Sequence, residues 1–375
     1  METATQPQEA QPVLAWSTVS AYDRWAESVG IPIHSGYFIP DARTVELGRW
    51  DERECDAAFL KLAGQEGVTE ARVSELRPGA TMPPLRFAID EAVYILSGQG
   101  QTTIWAEGGP KRSFEWQAHS MFLVPRNHYY QFANMSGTQP ARLLHFSHMP
   151  LAMNVLPDPH FYFNDPYQPP QAIAADDFYA EAKVGSGDGP TAGRGYWVGN
   201  FFPDMTAWDH LDPFRNRGAG GRVVTVAFPT STIHAHMSVF PKQTYKKAHR
   251  HGPGVTIVIP SGEGFSVMWP EGQDKIFIPW HEGSVFVPPN RWFHQHFNLG
   301  REDARYLALH SPRTLTGRSE RVEDLARDQI EYAQEDPWIR ETFKAELAKH
   351  NMTSAMPDGC YEDPNYQWAY SEDQS

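Results

Sequence analysis

HRHGPGVTIVIPSG at 249–262 and GSVFVPPNRWFHQHFN at 283–298 decide how this chain is read. In a β-strand residues i and i+2 face the same side, so His249 and His251 aim into one space. His294 arrives on a second strand. Together the three imidazoles close a facial three-nitrogen set that suits a divalent metal and leaves open coordination positions. Such a set activates a small ligand or O2, so the residues point to a metalloenzyme.

A chain of 375 residues has length for two cores or one large double one. Its 31 prolines and 29 glycines cut it into short segments, which suits an all-β architecture better than helical bundles or βαβ units. Hydrophobic residues at 41% and aromatics at 13% argue for packed cores and against disorder. A net charge of −14 disfavours nucleic acid and anionic membrane surfaces as partners without forbidding an anionic substrate, and a small-molecule substrate is the partner expected of a metalloenzyme. Cys55 and Cys360 are far apart and read as free thiols of a reducing compartment. Residues 1–15 lack a basic, apolar leader, and no apolar run approaches a membrane span. The expectation is a soluble, cytoplasmic protein in which the NMS and NMT triplets at 134 and 351 carry no glycan.

The spacing resembles the cupin superfamily, whose two motifs read G-x5-H-x-H-x3/4-E-x6-G and G-x5-P-x-G-x2-H-x3-N. Gly283, Pro289, His294 and Asn298 stand at the intervals of the second motif, with Arg291 in place of its inner glycine. His249, His251 and Gly262 supply the first motif; Gln243 stands at its leading glycine and Val255 at its glutamate ligand. The same template falls on the first half of the chain. Glu91 and Gly98 reproduce the turn, and Pro125 and Asn134 the second strand, but the histidine places read Leu85, Phe87 and Tyr130. His128, two before Tyr130, reads as a hydrogen-bonded core or rim residue. The resemblance therefore implies a bicupin: two double-stranded β-helix (jelly-roll) barrels, the second metal-binding and the first structural.

The expected layout is an N-terminal segment with a short helix over 1–33, a barrel without metal ligands over 34–155, and a connector over 156–215. The metal barrel follows over 216–315 and a helical tail over 316–375. Ser17 or Thr18 caps the first helix, with Val19, Tyr22 and Ala26 on one face and Gly30 as its stop. In the tail, RVEDLARDQIEYAQE and DPWIRETFKAELAKH read as two helices. Asp336 and Pro337 open the second, and Ile339, Phe343 and Leu347 form its apolar stripe. Barrel edges and this tail predict a homo-oligomer.

Around the three histidines, Trp292, His296 and Asn298 share the parity of His294. Trp292 is expected as a substrate-contacting wall, and His296 as a catalytic proton donor or acceptor that replaces His294 as ligand if the register slips. STIHAHMSVF puts His234, His236 and Ser238 on one face, with His236 a substrate-binding candidate. Lys246 and Lys247 precede the His249 strand; Lys247 is the candidate cation toward substrate, and a solvated pair is the alternative. Arg250 points away by parity. Resemblance to three-histidine cupins such as the gentisate and β-diketone dioxygenases implies an Fe(II) dioxygenase that cleaves a small chelating aromatic or dicarbonyl oxyacid. In gentisate dioxygenase, however, the first barrel holds the metal. The bicupin ureidoglycine aminohydrolases, with metal in the second barrel, imply the alternative of Mn(II), Ni(II) or Zn(II) in a hydrolase, isomerase or lyase. A non-catalytic ligand-binding bicupin is the third reading.

Overall fold

A computed structural model of the chain describes residues 19–163, 177–180, 182–186, 195–207, 211–229, 231–312, 315 and 327–370. They form two β-barrels, each a large sheet facing a small one. In the first barrel the large sheet runs Glu70–Leu76, Ala141–Ser147, Glu91–Ser97, Met121–Val124, and the small one Leu85–Arg86, Tyr129–Asn134, Gln99–Trp105, Arg112–Gln117. In the second barrel the order repeats as His234–Phe240, Ala304–His310, Thr256–Ser261, Val285–Phe286, and Ala248–His249, Phe293–Asn298, Glu263–Trp269, Ile276–His281. The strand order of the first barrel thus repeats in the second, and the class is all-β as expected. Among the described residues no helix is long and apolar enough to cross a membrane.

Corresponding turns are closed by the same physics. Gly98 and Gly262 have φ of 88° and 103°. A Cβ on either would lie 2.7–2.9 Å from Ala141 or Ala304 of the closing strand, so only glycine fits. Asn134 and Asn298 bind the neighbouring turn: Oδ1 accepts from the amide two residues on, and Nδ2 donates to Gln139 O at 2.8 Å and Glu302 O at 2.9 Å respectively. Arg291 takes φ 63°, the left-handed turn that the missing motif glycine would supply, and Asn127 takes φ 55° at the matching place in the first barrel.

Strand alternation places the cores. Ala71, Val73, Tyr94, Leu144 and Phe146 of the first large sheet meet Ala235, Met237, Val258, Leu307 and Leu309 of the second, so the barrels pack back to back. The opposite faces of these strands point into each barrel, where polar side chains gather. On the outer face of the second small sheet, Tyr245, Phe265 and Phe297 pack with Ile339, Phe343 and Leu347 of the helix Pro337–Lys349, capped by Asp336 as expected.

Several expectations change. The first helix is Ala21–Val29, capped by Ser20, whose hydroxyl accepts from Asp23 N at 3.0 Å. Gly30 ends it at φ 76° as read, whereas Val19 precedes it and is exposed; Ser17 and Thr18 lie outside the described residues. The expected helix over 321–335 begins outside them too, and its described end is the strand Gln329–Ile330 and the 3-10 turn Tyr332–Gln334. Gln329 and Ile330 pair with His249 and Ala248, covering the otherwise open edge of the small sheet. The boundaries at 155 and 215 are also crossed. Phe38–Ile39 pairs with Val285–Phe286 of the second barrel, and Phe201–Phe202 with Met121–Phe122 of the first, so each barrel edge is covered by a strand from outside its expected span.

Candidate metal centre

His249 and His294 are cross-strand partners, which sets their rings 4.2 Å apart between centroids. His251 stands 4.7 Å from His294 and 5.8 Å from His249. One nitrogen from each ring lies within 4.8 Å of the others, a group able to hold a metal ion. Backbone carbonyls orient the rings: Nδ1 of His249, His251 and His294 faces the oxygens of Lys247, Gly252 and Trp292 at 3.4, 2.7 and 3.1 Å. Those contacts favour the tautomer with the proton on Nδ1 and the lone pair on Nε2, as a metal ligand requires. Burial is the main cause that holds His249 and His294 well below the usual imidazole range, with neighbouring charge adding to it, so both are neutral bases at pH 7. Val255 lines the same cavity at the place of the motif glutamate, which makes the donor set neutral.

His296 also lines the cavity, one step deeper on the strand. Its Nδ1 lies 2.8 Å from Ser266 Oγ, which accepts from Trp280 Nε1 at 3.1 Å; the serine proton is then directed at Nδ1, leaving Nε2 protonated. Its ring rests 4.9 Å from that of Tyr306 and 5.6 Å from that of His294. Burial, and then the charge of Lys246, push its imidazole down to about 3. His236 reaches the cavity from the large sheet, its Nδ1 2.7 Å from Nε2 of His310, on which His234 stacks.

Two candidates sit elsewhere. Trp292 is outside the strand, which begins at Phe293, so strand parity does not govern it; it packs on Tyr37 at 5.7 Å. Lys247 turns away to Glu331 at 2.5 Å. The reason is an irregularity ahead of the short strand Ala248–His249: Lys246 N donates to His296 O, but Lys247 N is diverted to Arg217 O, each at 3.0 Å. This shifts the alternation by one and turns Lys246 inward, against Ser238 Oγ and the rings of Phe214, Phe240 and Tyr306. Arg217, which sequence reasoning missed, lines the cavity beside the cluster. It lies in the irregular 214–221 loop, where no periodicity signals which way a side chain faces.

The first barrel carries a different cluster at the corresponding height. Strand registers set Arg72 where the second barrel has His236, and motif spacing sets Glu91 where it has Val255. Arg72 binds Glu91 directly and Glu70 at 3.0 Å. His145 donates from Nδ1 to Glu91 at 2.7 Å and accepts from Ser74 at Nε2, also at 2.7 Å. The guanidinium thus neutralises two buried carboxylates, and Phe87 and Tyr130 are buried in the core of the same barrel. His128 is buried, its Nδ1 2.9 Å from Arg126 O.

No protein-family model and no curated protein sequence matches the chain. Among solved structures it is similar to an oxalate decarboxylase of Bacillus subtilis, at 14% identity and TM-score 0.46 over 74% of this chain and 77% of that one. The formate complex of the Lactobacillus farciminis oxalate decarboxylase matches at 14% and 0.46, over 74% and 86%. A further oxalate decarboxylase structure, concerned with substrate binding and a reaction specificity switch, matches at 14% and 0.47, over 86% and 88%.

Proposed function

We propose that the chain is a metal-dependent enzyme whose second barrel holds one divalent ion on His249, His251 and His294 and acts on a small chelating oxyacid. The observation that carries this reading is the orientation of the three rings. Each Nδ1 faces a backbone carbonyl, and the ligand nitrogens lie within 4.8 Å of one another in a cavity with no Asp or Glu among its described lining residues. A dication on three neutral imidazoles keeps its charge and open positions, and so supplies Lewis acidity and, if it is Fe(II), activation of O2.

The residues around it divide the remaining tasks. Nε2–H of neutral His296, fixed by the Ser266 and Trp280 contacts, is placed to donate a hydrogen bond to a ligand. The His236–His310 contact joins two neighbouring strands of the large sheet at one wall of the cavity. Val255, Ile257 and Ala308 exclude water from the other side.

The finer reading is oxidative cleavage at Fe(II) of an aromatic or β-dicarbonyl oxyacid. One observation favours the second reading, a hydrolase, isomerase or lyase with Mn(II), Ni(II) or Zn(II): the cavity at the cluster measures about 10 Å³, room for about one water-sized sphere. A chelating substrate and O2 together demand more displacement of the walls than one small substrate does. Turnover of iron-reconstituted protein under air and under argon separates them. Strict dependence on O2 supports the dioxygenase; equal rates eliminate it and leave the non-redox enzyme. Less than one ion per chain after reconstitution with each of the four metals would refute both.

A further inference from the structure

We propose that the outer face of the second small sheet carries a separate binding site, a cleft that takes the primary ammonium group of an aliphatic amine. The cleft measures about 350 Å³ and shares no residue with the histidine cluster. Strand alternation puts it on the other side of the sheet. His294 and His296 face the barrel cavity, so Gln295 between them faces outward, beside Phe293 and Phe297 in the apolar layer that meets the helix Pro337–Lys349. Trp269, Ile330 and Ile339 wall the cleft, and its ionisable groups are Glu335, Asp336 and Lys275.

Two buried acceptors here lack a partner of the matching kind. Gln295 is fully buried, and its Nε2 donates to Lys246 O at 3.2 Å and to Glu335 Oε2 at 3.1 Å. Those two acceptors fix the orientation of the amide and leave Oε1 with no donor among the described residues. Glu335 accepts from Gln295 and from the Tyr245 hydroxyl, both neutral donors. Arg340, whose charge acts on Glu335, is bound to Asp358 instead, at 2.9 Å. Lys275 is held by Asp336 at 2.6 Å, so these two cancel and the lining keeps the charge of Glu335. Burial pushes that carboxyl up to about 7, as expected of a carboxylate short of a cation.

An ammonium group supplies both deficits, a charge for Glu335 and an N–H for Gln295 Oε1. Trp269 suits the same guest. Phe293 stacks on it at 5.8 Å, and Lys275 Nζ stands 5.7 Å from its centroid, so the indole already accommodates a cation. Trp269, Ile330 and Ile339 then cover the alkyl chain. An anion finds no such welcome. The helix N-terminus that would attract it is capped by Asp336, which accepts from Trp338 N at 3.0 Å, and Glu335 would repel it.

The test is calorimetric titration of the full chain at pH 8, where Glu335 is ionised, with n-butylammonium and its neutral isostere 1-butanol. An aliphatic primary amine of the lysine kind, with a pKa of about 10.4, is protonated there. Wild type should prefer butylammonium by about tenfold or more, the size of one charge-assisted contact. Glu335→Gln should bring the two affinities together, and because it removes a buried charge the fold should tolerate it. Gln295→Met should weaken butylammonium by about threefold or more and leave 1-butanol unchanged. No preference in wild type overturns the site. So does a preference that survives Glu335→Gln, as binding at the histidine cluster across the sheet would. Undiminished butylammonium affinity in Gln295→Met overturns the role of Oε1. If one variant does not fold, the other decides by its own criterion.

Discussion

Replacing Arg72 with Met should destabilise the first barrel by about 3–6 kcal/mol at neutral pH while leaving the second barrel's metal content unchanged. Arg72, Glu70 and Glu91 all have side chains no more than 2% exposed, so water cannot take over the lost contacts. The substitution removes two charge-assisted hydrogen bonds, each worth about 1.5–3 kcal/mol when broken. Glu70 keeps the Tyr22 and Ser147 hydroxyls at 2.7 and 2.6 Å, and Glu91 keeps His145, so part of the loss is cushioned. Acidity provides the sharper criterion. Burial alone would raise Glu91, but the charge of Arg72, and then His145, more than offset it and hold the carboxyl well below its usual range. A depressed carboxyl contributes stability above its unfolded value of about 4.3 and loses it as pH falls through the folded value. Without Arg72 the carboxyl rises, so the deficit should be largest near pH 7–8 and shrink toward pH 4–5. Urea unfolding of wild type and variant across this range measures it. The triple variant Arg72→Met, Glu70→Gln, Glu91→Gln should recover most of the loss, because no buried charge remains unpaired. A deficit under about 1 kcal/mol, or one independent of pH, would refute the view that Arg72 compensates the buried carboxylates of this barrel.

Alanine at His249, His251 or His294 should reduce bound metal from about one per chain to a small fraction, read by elemental analysis, whereas His296→Gln should retain it. The opposite pattern would make His296 the ligand. Burial pushes Glu335 up to about 7, above its unfolded value, so the folded protein holds the extra proton and stability falls as pH rises from about 4.5 to 7. Glu335→Gln should flatten that slope, by on the order of 2–3 kcal/mol over the window in urea titrations; an unchanged slope contradicts the burial argument. Gly262→Ala should destabilise by about 1–3 kcal/mol, because the φ of 103° and the contact with Ala304 both exclude a side chain. A thermal midpoint equal to wild type would mean that the turn relaxes freely.

Short-range chemistry made much of this protein legible without coordinates. His251 joins His249 although the strand ends at His249, and glycines and asparagines with special turn duties recur at Gly98 and Gly262, Asn134 and Asn298, so the repeat was legible in the spacing and the two barrels in its resemblance to the cupin motifs. The helix Pro337–Lys349 was equally readable, since cap, proline and stripe are all local. What failed was inference that carried alternation through irregular backbone. One diverted amide ahead of Ala248 turned Lys247 out and Lys246 in, and the turn at Arg291 released Trp292 from strand parity. Only the folded chain could bring Arg217, Gln329 and Arg72 to their places, because each acts across sheets or from a segment without periodicity. Strand alternation is a property of neighbouring residues; charge compensation, edge covering and cavity lining depend on which distant segments the barrels bring together.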